Sequence, residues 1–239
     1  MKKLAGNLIM LFVVAVVLLI IVPLGTLILD LMLLVNLAVS LMILLITMYV
    51  KEALEFSVFP PVLLITTLLR VGLNVSATRL ILGGGEAGRV IETFGRFVIG
   101  GNAAVGFIIF IIIVIVQFLV ITKGAERVAE VSARFTLDAM PGKQMAIDAD
   151  LSSGMIDEKT ARQRRQNIQR AADFYGAMDG ASKFVKGDAV VSILIVCVNL
   201  LGGLLIGLIA GGKSFTDALS IYTVATVGGG LVLQVPALM

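Results

Sequence analysis

Residues 103–142 read AAVGFIIFIIIVIVQFLVITKGAERVAEVSARFTLDAMPG, and this stretch decides what kind of molecule the chain is. Residues 103–122 carry no charge, and about 20 apolar residues in helical form are what a hydrocarbon core about 30 Å thick demands. From Lys123 onward charges arrive every few residues with no proline before Pro141, so the helix is expected to continue out of the apolar layer until Pro141 and Gly142 stop it. A membrane span that runs into a charged helix is the unit from which the rest can be read.

The whole chain repeats that contrast. It has 239 residues, 59% of them hydrophobic and 15% charged, where a soluble domain has about 25% charged. The 35 Lys, Arg, Asp and Glu are unevenly spread: 21 of them, 11 basic and 10 acidic, lie between Lys123 and Asp188. Such apolar content excludes a disordered chain. A single cysteine, Cys197, excludes a disulfide scaffold, and with no histidine there is neither a His-based triad nor the parts of a zinc site. The chain therefore reads as a non-enzyme that needs neither metal nor cofactor.

Further spans are expected over 8–29, 31–50, 57–82, 189–210 and 218–239, the first two forming a hairpin with Pro23, Gly25 and Asp30 near its turn. The division is then 1–122 with four spans, a charged helical insertion over 123–188, and 189–239 with two more. Cytoplasmic loops carry the Lys and Arg excess. An inside N-terminus puts Lys2, Lys3, Lys51 and the 11 basic residues of the insertion on one side, against Arg89, Arg96 and Lys213 on the other. The insertion is accordingly expected in the cytoplasm. The last span reaches Met239 with no polar flank, which suggests a chain cut short of further protein.

Three motif matches fail on context. Gly207, Gly212, Lys213 and Ser214 fit a phosphate-binding loop, but they close an apolar helix instead of joining a strand to a helix. Gly83, Gly85 and Gly88 fit a dinucleotide fingerprint with no strand before them, and read as a flexible loop. Asp148, Asp150 and Ser152 begin like a calcium loop, yet the sixth position is Ser153 and the twelfth Lys159.

The polar residues that remain are the candidates. Arg70 lies near the middle of the third span, where an arginine costs about 2.5–3.5 kcal/mol on insertion scales, so it must face protein or water. Its role is either structural or in an ion path. Arg127, Arg134 and Asp138, spaced by seven and four, share a helix face, whose structural reading is a salt-bridged surface helped by Glu130 to Arg134. The basic helix over 157–172, with Arg162, Arg164, Arg165 and Arg170, is balanced by interleaved acids and lacks stacking aromatics, which argues against nucleic acid and for lipid headgroups or neighbouring subunits. Asp188, just before the fifth span, is either that helix's N-cap or a titratable carboxylate at the membrane boundary. Gly203, Gly207 and Gly211 form a stripe that lets another helix approach closely.

Several runs carry a resemblance: LLRVGLNVSATRLIL at 68–82, GGNAAVGFIIFIIIVIVQFLVITKGAERVAEVSARFTLDAMPGKQMAIDADL at 100–151, FYGAMDGASKFVKGDA at 174–189 and VGGGLVLQVPAL at 227–238. The sequence resembles the FHIPEP family, the export-gate membrane proteins of type III secretion, and TLDAMPGKQMAIDADL with ADFYGAMDGASKF look like its flagellar branch. The resemblance implies a bacterial inner-membrane subunit of a nonameric ring, with eight membrane helices and a large cytoplasmic domain that receives chaperones and exported flagellar proteins. It implies contact with the other membrane components of the export apparatus, and coupling of ion flow to export. It ties export to Arg79, Arg127, Arg134, Asp138, Lys183 and Asp188. One departure stands out: where the family pattern has an acidic residue, this chain has Gly229.

Asp188 is the leading candidate for the titrating group, with Lys183, Arg127 and Arg134 as the charges that tune it. Two other readings compete. A secondary transporter of a small solute would use Arg70 and Arg79 but predicts internal repeats, which are not evident. A structural ring scaffold would leave conduction to other components.

Overall fold

The computed structural model describes residues 2–22, 24–100, 103–209, 211–212 and 214–238. Pro23, which the sequence places near the first turn, Asn102, Ala210, Lys213 of the rejected phosphate-loop pattern and Met239 lie outside them, as do the side chains of Lys2 and Lys3. The described elements are all helical: α1 Lys2–Ile21, α2 Thr26–Tyr49, α3 Phe59–Gly84, α4 Arg89–Ile99, α5 Ala103–Leu119, α6 Glu126–Asp138, α7 Met140–Ser152, α8 Glu158–Ile209 and α9 Phe215–Leu238. A 3₁₀ turn, Ala53–Phe56, precedes α3, and a π-helical turn, Val120–Ala125, joins α5 to α6. Among the described residues five stretches are long and apolar enough to cross a membrane: Thr26–Tyr49, Phe59–Gly84, Val105–Ser152, Glu158–Ile209 and Phe215–Ala237. The fold is the expected all-α bundle of membrane-spanning helices carrying a helical charged insertion.

Local chemistry moves several boundaries. The first break falls between Ile21 and Thr26, so Asp30 belongs to α2 and does not mark the turn. Its carboxylate leaves its own helix and accepts the N–H groups of Arg89 at 2.9 Å and Val90 at 3.1 Å. Those are free donors at the start of α4, and a helix end in apolar surroundings needs a partner from outside. The glycine-rich stretch expected as a loop therefore contains a helix, whose residues Ile91, Gly95 and Ile99 repeat every four positions on its buried face. Only its entry is irregular. Gly85, at φ 80°, caps α3 by donating to the Ile81 carbonyl at 2.8 Å, and Gly88 takes φ 97°.

The basic helix expected over 157–172 and the fifth span, expected as separate helices, are one helix. α8 runs unbroken for 52 residues, about 78 Å at 1.5 Å per residue. No proline interrupts it. Asp157 starts it by accepting the Thr160 N–H at 2.9 Å, and the Thr160 side-chain hydroxyl, together with that N–H, holds the Asp157 carboxyl below its ordinary range. Asp188 is consequently an interior helical residue, and its reading as an N-cap is overturned. Pro141 likewise does more than end a helix: it sits in the first turn of α7, where the N–H it lacks has no intrahelical partner to lose.

α9 is the centre of the bundle, with 67% of its apolar window buried against 17% in α2 and in α8. It packs against α2, α3, α4, α5 and α8. Leu29, Leu33, Leu69, Leu73, Ile81, Ile91 and Tyr222 belong to one core cluster, and Ile99, Phe110, Val114, Val196, Val227 and Leu231 to a second. Apolar residues such as Leu27 and Met42 on α2, Ile108 and Ile112 on α5, and Leu194 and Leu201 on α8 face outward, as lipid contact requires.

Glycines set the closest approaches. A Cβ on Gly95 would land on the carbonyl oxygen of Val224, and one on Gly228 on that of Ile91, so α4 and α9 cross at glycine on both sides. Gly203 and Gly207 of the expected stripe receive the Tyr222 ring. Gly211 departs from it: α8 ends at Ile209, and a Cβ there would meet the chain's own Gly207 carbonyl.

Gly228→Ala and Gly95→Ala are each expected to destabilise the fold by about 1–3 kcal/mol or more, because backbone would have to separate. At Gly229 a Cβ meets nothing nearer than Ile81 Cδ1 at 3.5 Å, so Gly229→Ala is expected to stay within about 1 kcal/mol of the parent. Thermal unfolding in detergent distinguishes the two classes. For Asp157 the sign follows from a lowered carboxylate pKa: the cap is complete above about pH 4 and is lost as pH falls through the folded value. Exchange of the Thr160 amide, corrected for its intrinsic pH dependence, should accelerate over that range in the parent and be pH-independent in Asp157→Ala.

Candidate functional site

Two helices present polar residues on their buried faces at helical spacing. On α3 these include Thr67, Arg70, Asn74 and Ser76; on α8 they are Asp188 and Asn199, with half-buried Ser192 between them. The faces meet in register. Arg70 Nη2 lies 3.2 Å from Asp188 Oδ2, and one turn on Asn74 Nδ2 donates to Ser192 Oγ at 3.2 Å. Because both pairs advance together by four residues, α3 and α8 run parallel here.

The pair is enclosed, with Arg70 and Asp188 each 7% exposed. Arg70 Nη2 also donates to Thr67 Oγ1 at 3.0 Å, and that hydroxyl donates to the Leu63 carbonyl at 2.7 Å. Arg70 Nε has no hydrogen-bond partner. A buried ion pair of this kind is held by mutual attraction against a large desolvation cost, so neither partner can be removed without exposing the cost of the other. Beside it lie two small cavities. One is lined by Val114, Gln117, Phe118, Asp188, Ser192 and Gln234, the other by Asn74, Ser192, Asn199, Gly229 and Gln234 among others. Gln117, from α5, donates through Nε2 to the Gln234 backbone carbonyl of α9 at 3.2 Å.

The other expected residues do not gather at this pair. Arg79 donates to the carbonyls of Ile21 at 2.8 Å and Ile20 at 3.1 Å, satisfying free acceptors at the end of α1. Lys183 bonds Asp179 at 2.7 Å, one turn back on its own helix. Arg127 lies 3.7 Å from Glu130, while Arg134 and Asp138 are exposed on the same α6 face, so the expected Glu130 to Arg134 bridge gives way to an i, i+3 contact. The charge that faces Asp188 is thus Arg70, not Lys183, Arg127 or Arg134. Two links escaped the sequence reading. Lys186 bonds Glu126 at 2.8 Å, tying α8 to the start of α6. Asp148 and Asp150 of the calcium-like run pair with Arg165 and Arg164, holding α7 on α8. Gln117, Ser192 and Gln234 were also missed, although an amide or hydroxyl inside an apolar span at helical spacing is itself the signal.

Comparison with known proteins follows this geometry. Residues 16–239 match the FHIPEP family model. The chain is 57% identical over 227 residues to Flagellar biosynthesis protein FlhA of Bacillus subtilis (strain 168), covering 95% of this chain and 34% of that protein. It is 53% identical over 241 residues to Flagellar biosynthesis protein FlhA of Escherichia coli (strain K12), covering 99% and 34%. With Low calcium response locus protein D of Yersinia pestis the identity is 55% over 225 residues, covering 94% and 32%. The chain spans about a third of the length of these relatives. No solved structure matches it.

The pair makes a quantitative prediction. Asp188→Leu or Arg70→Met alone should cost about 3–5 kcal/mol by leaving one buried charge unpaired, while the double variant Arg70→Met/Asp188→Leu recovers most of the loss. A double-mutant cycle of unfolding midpoints in detergent checks it.

Proposed function

Because this chain belongs to the FHIPEP family, we propose that it is the membrane part of an export-gate subunit of the flagellar type III secretion apparatus, in which ion movement at Asp188 is coupled to export of flagellar proteins. The names of the relatives support the apparatus. The observation that carries the coupling is the Arg70 to Asp188 pair, 3.2 Å apart and buried where α8 passes from its charged to its apolar part. The bacterial inner membrane is the site, with the N-terminus and 123–188 on the cytoplasmic side, an orientation that the Lys and Arg distribution supports. The parallel run of α3 and α8 agrees with this arrangement, since both then enter the membrane from the cytoplasm.

A proton arriving at Asp188 neutralises the carboxylate and removes the attraction that compensates the buried Arg70 guanidinium. The helices around the pair must then repack or admit a counter-charge. Asp188 lies on the same continuous helix as the segment that carries α6 and α7, and Lys186, two residues away, grips Glu126. A shift of α8 at the pair is therefore delivered to the charged layer as a movement of a rigid rod. Each elementary charge crossing the membrane supplies about 2.3 kcal/mol per 100 mV, enough for a few protons to bias two packings of comparable energy. In the assembled apparatus the subunits form a nonameric ring beside the other membrane components, and chaperones and exported proteins engage the part of the full-length protein beyond this chain.

The test is potential-driven ion flux through reconstituted full-length protein, with export measured in cells. Asp188→Asn should abolish both, falling to the level of empty vesicles for flux, with the ring still assembled. Unchanged flux and export would overturn the coupling and leave a scaffold; specific uptake of a small solute would replace it with a transporter.

A further inference from the structure

The two cavities beside the ion pair contain a second feature. They share Ser192, Leu233 and Gln234, so they are adjacent, and each is about the size of one water molecule. Among the polar atoms around them, three side-chain carbonyl oxygens have no donor: Gln117 Oε1, Gln234 Oε1 and Asn199 Oδ1. All three residues are more than nine-tenths buried, at 6%, 5% and 4% exposure. They come from three helices, α5, α9 and α8. A buried acceptor left without a donor costs on the order of 1–3 kcal/mol, and three on residues that line two adjacent recesses call for donors there. Apart from Asp188 no charged residue lines either recess, and Asp188 is already engaged by Arg70. The glycine at 229 lines the inner recess, where a side chain would otherwise reduce the space.

We infer that the two recesses bind internal water molecules, oriented by Gln117, Gln234, Asn199 and Ser192, that relay protons between Asp188 and the recess lined by Asn199 and Gln234. Water is the donor the three carbonyls lack, and its two hydrogens let one molecule satisfy two acceptors. In the relay the Asp188 O–H bond breaks as a new O–H bond forms on the outer water. That water releases a different proton to the inner one, which holds it as a hydronium hydrogen-bonded to the side-chain carbonyls of Asn199 and Gln234, so charge moves without net displacement of either molecule. Ser192 Oγ accepts from Asn74 and lines both recesses. Water occupancy stands on the cavities alone; only its use as a proton path rests on the coupling proposed above.

Two leucines give an internal comparison. Leu233 lines both recesses and Leu231 neither, yet their exposures are 4% and 5%. Radiolytic hydroxyl labelling of the full-length protein in nanodiscs, read by mass spectrometry, should modify Leu233 severalfold faster than Leu231. Gln234→Leu should remove the difference. Asn36→Leu, which deletes a buried amide lining neither recess, should preserve it. Equal rates for the two leucines in the parent would overturn the water site while leaving the Asp188 coupling to its own test. The second measurement is proton flux in vesicles: Gln234→Leu and Asn199→Leu should each lower it severalfold with Asp188 intact and the ring assembled. Fast Leu233 labelling with unchanged flux would overturn the relay.

Discussion

A polar group inside a hydrocarbon layer has no solvent to fall back on, and most of this molecule's specific structure follows from that constraint. Arg70 illustrates it at greatest cost. Placed in the middle of an apolar helix, it must find an opposite charge, and the one it finds is Asp188 on another helix at 3.2 Å. That pairing fixes the register of α3 against α8, because Asn74 and Ser192 then fall opposite each other one turn further on. It also places the only buried carboxylate of α8 where the helix leaves its charged part.

The same constraint explains residues that look functional in isolation. Arg79 is spent on two carbonyls at the end of α1, and Asp30 on two N–H groups at the start of α4. Both are long-range caps on helix ends whose local sequence offers no cap. Arg79 thereby seats α1 against α3. Lys183 and Arg127 are different, since their contacts are solvent-screened, exposed pairs within one helix that add little to stability.

α9 shows how packing and polarity are combined. Its glycines bring it against the backbone of α4, and Tyr222 fills the groove left by Gly203 and Gly207 on α8. Gln234 on the same helix carries polarity into that close-packed region. Gly229 is neither a close-approach glycine nor a cap; it borders the recess lined by Asn74, Asn199 and Gln234.

Much of the fold was legible in the residues themselves. Span length follows from bilayer thickness, the break from apolar to charged at Lys123 is abrupt, and small residues every four positions announce a close helix contact. What misled was local punctuation. Glycines at 83–88 suggested a loop that tertiary capping by Asp30 limits to a few residues, and Asp188 looked like an N-cap because the apolar run begins there, although nothing breaks the helix. Sequence by itself determined that helices cross a membrane and that Arg70 needed a partner. Only the tertiary structure decided that the partner is Asp188, 118 residues away, since helical periodicity specifies which residues share a face but not which face of another helix it will meet.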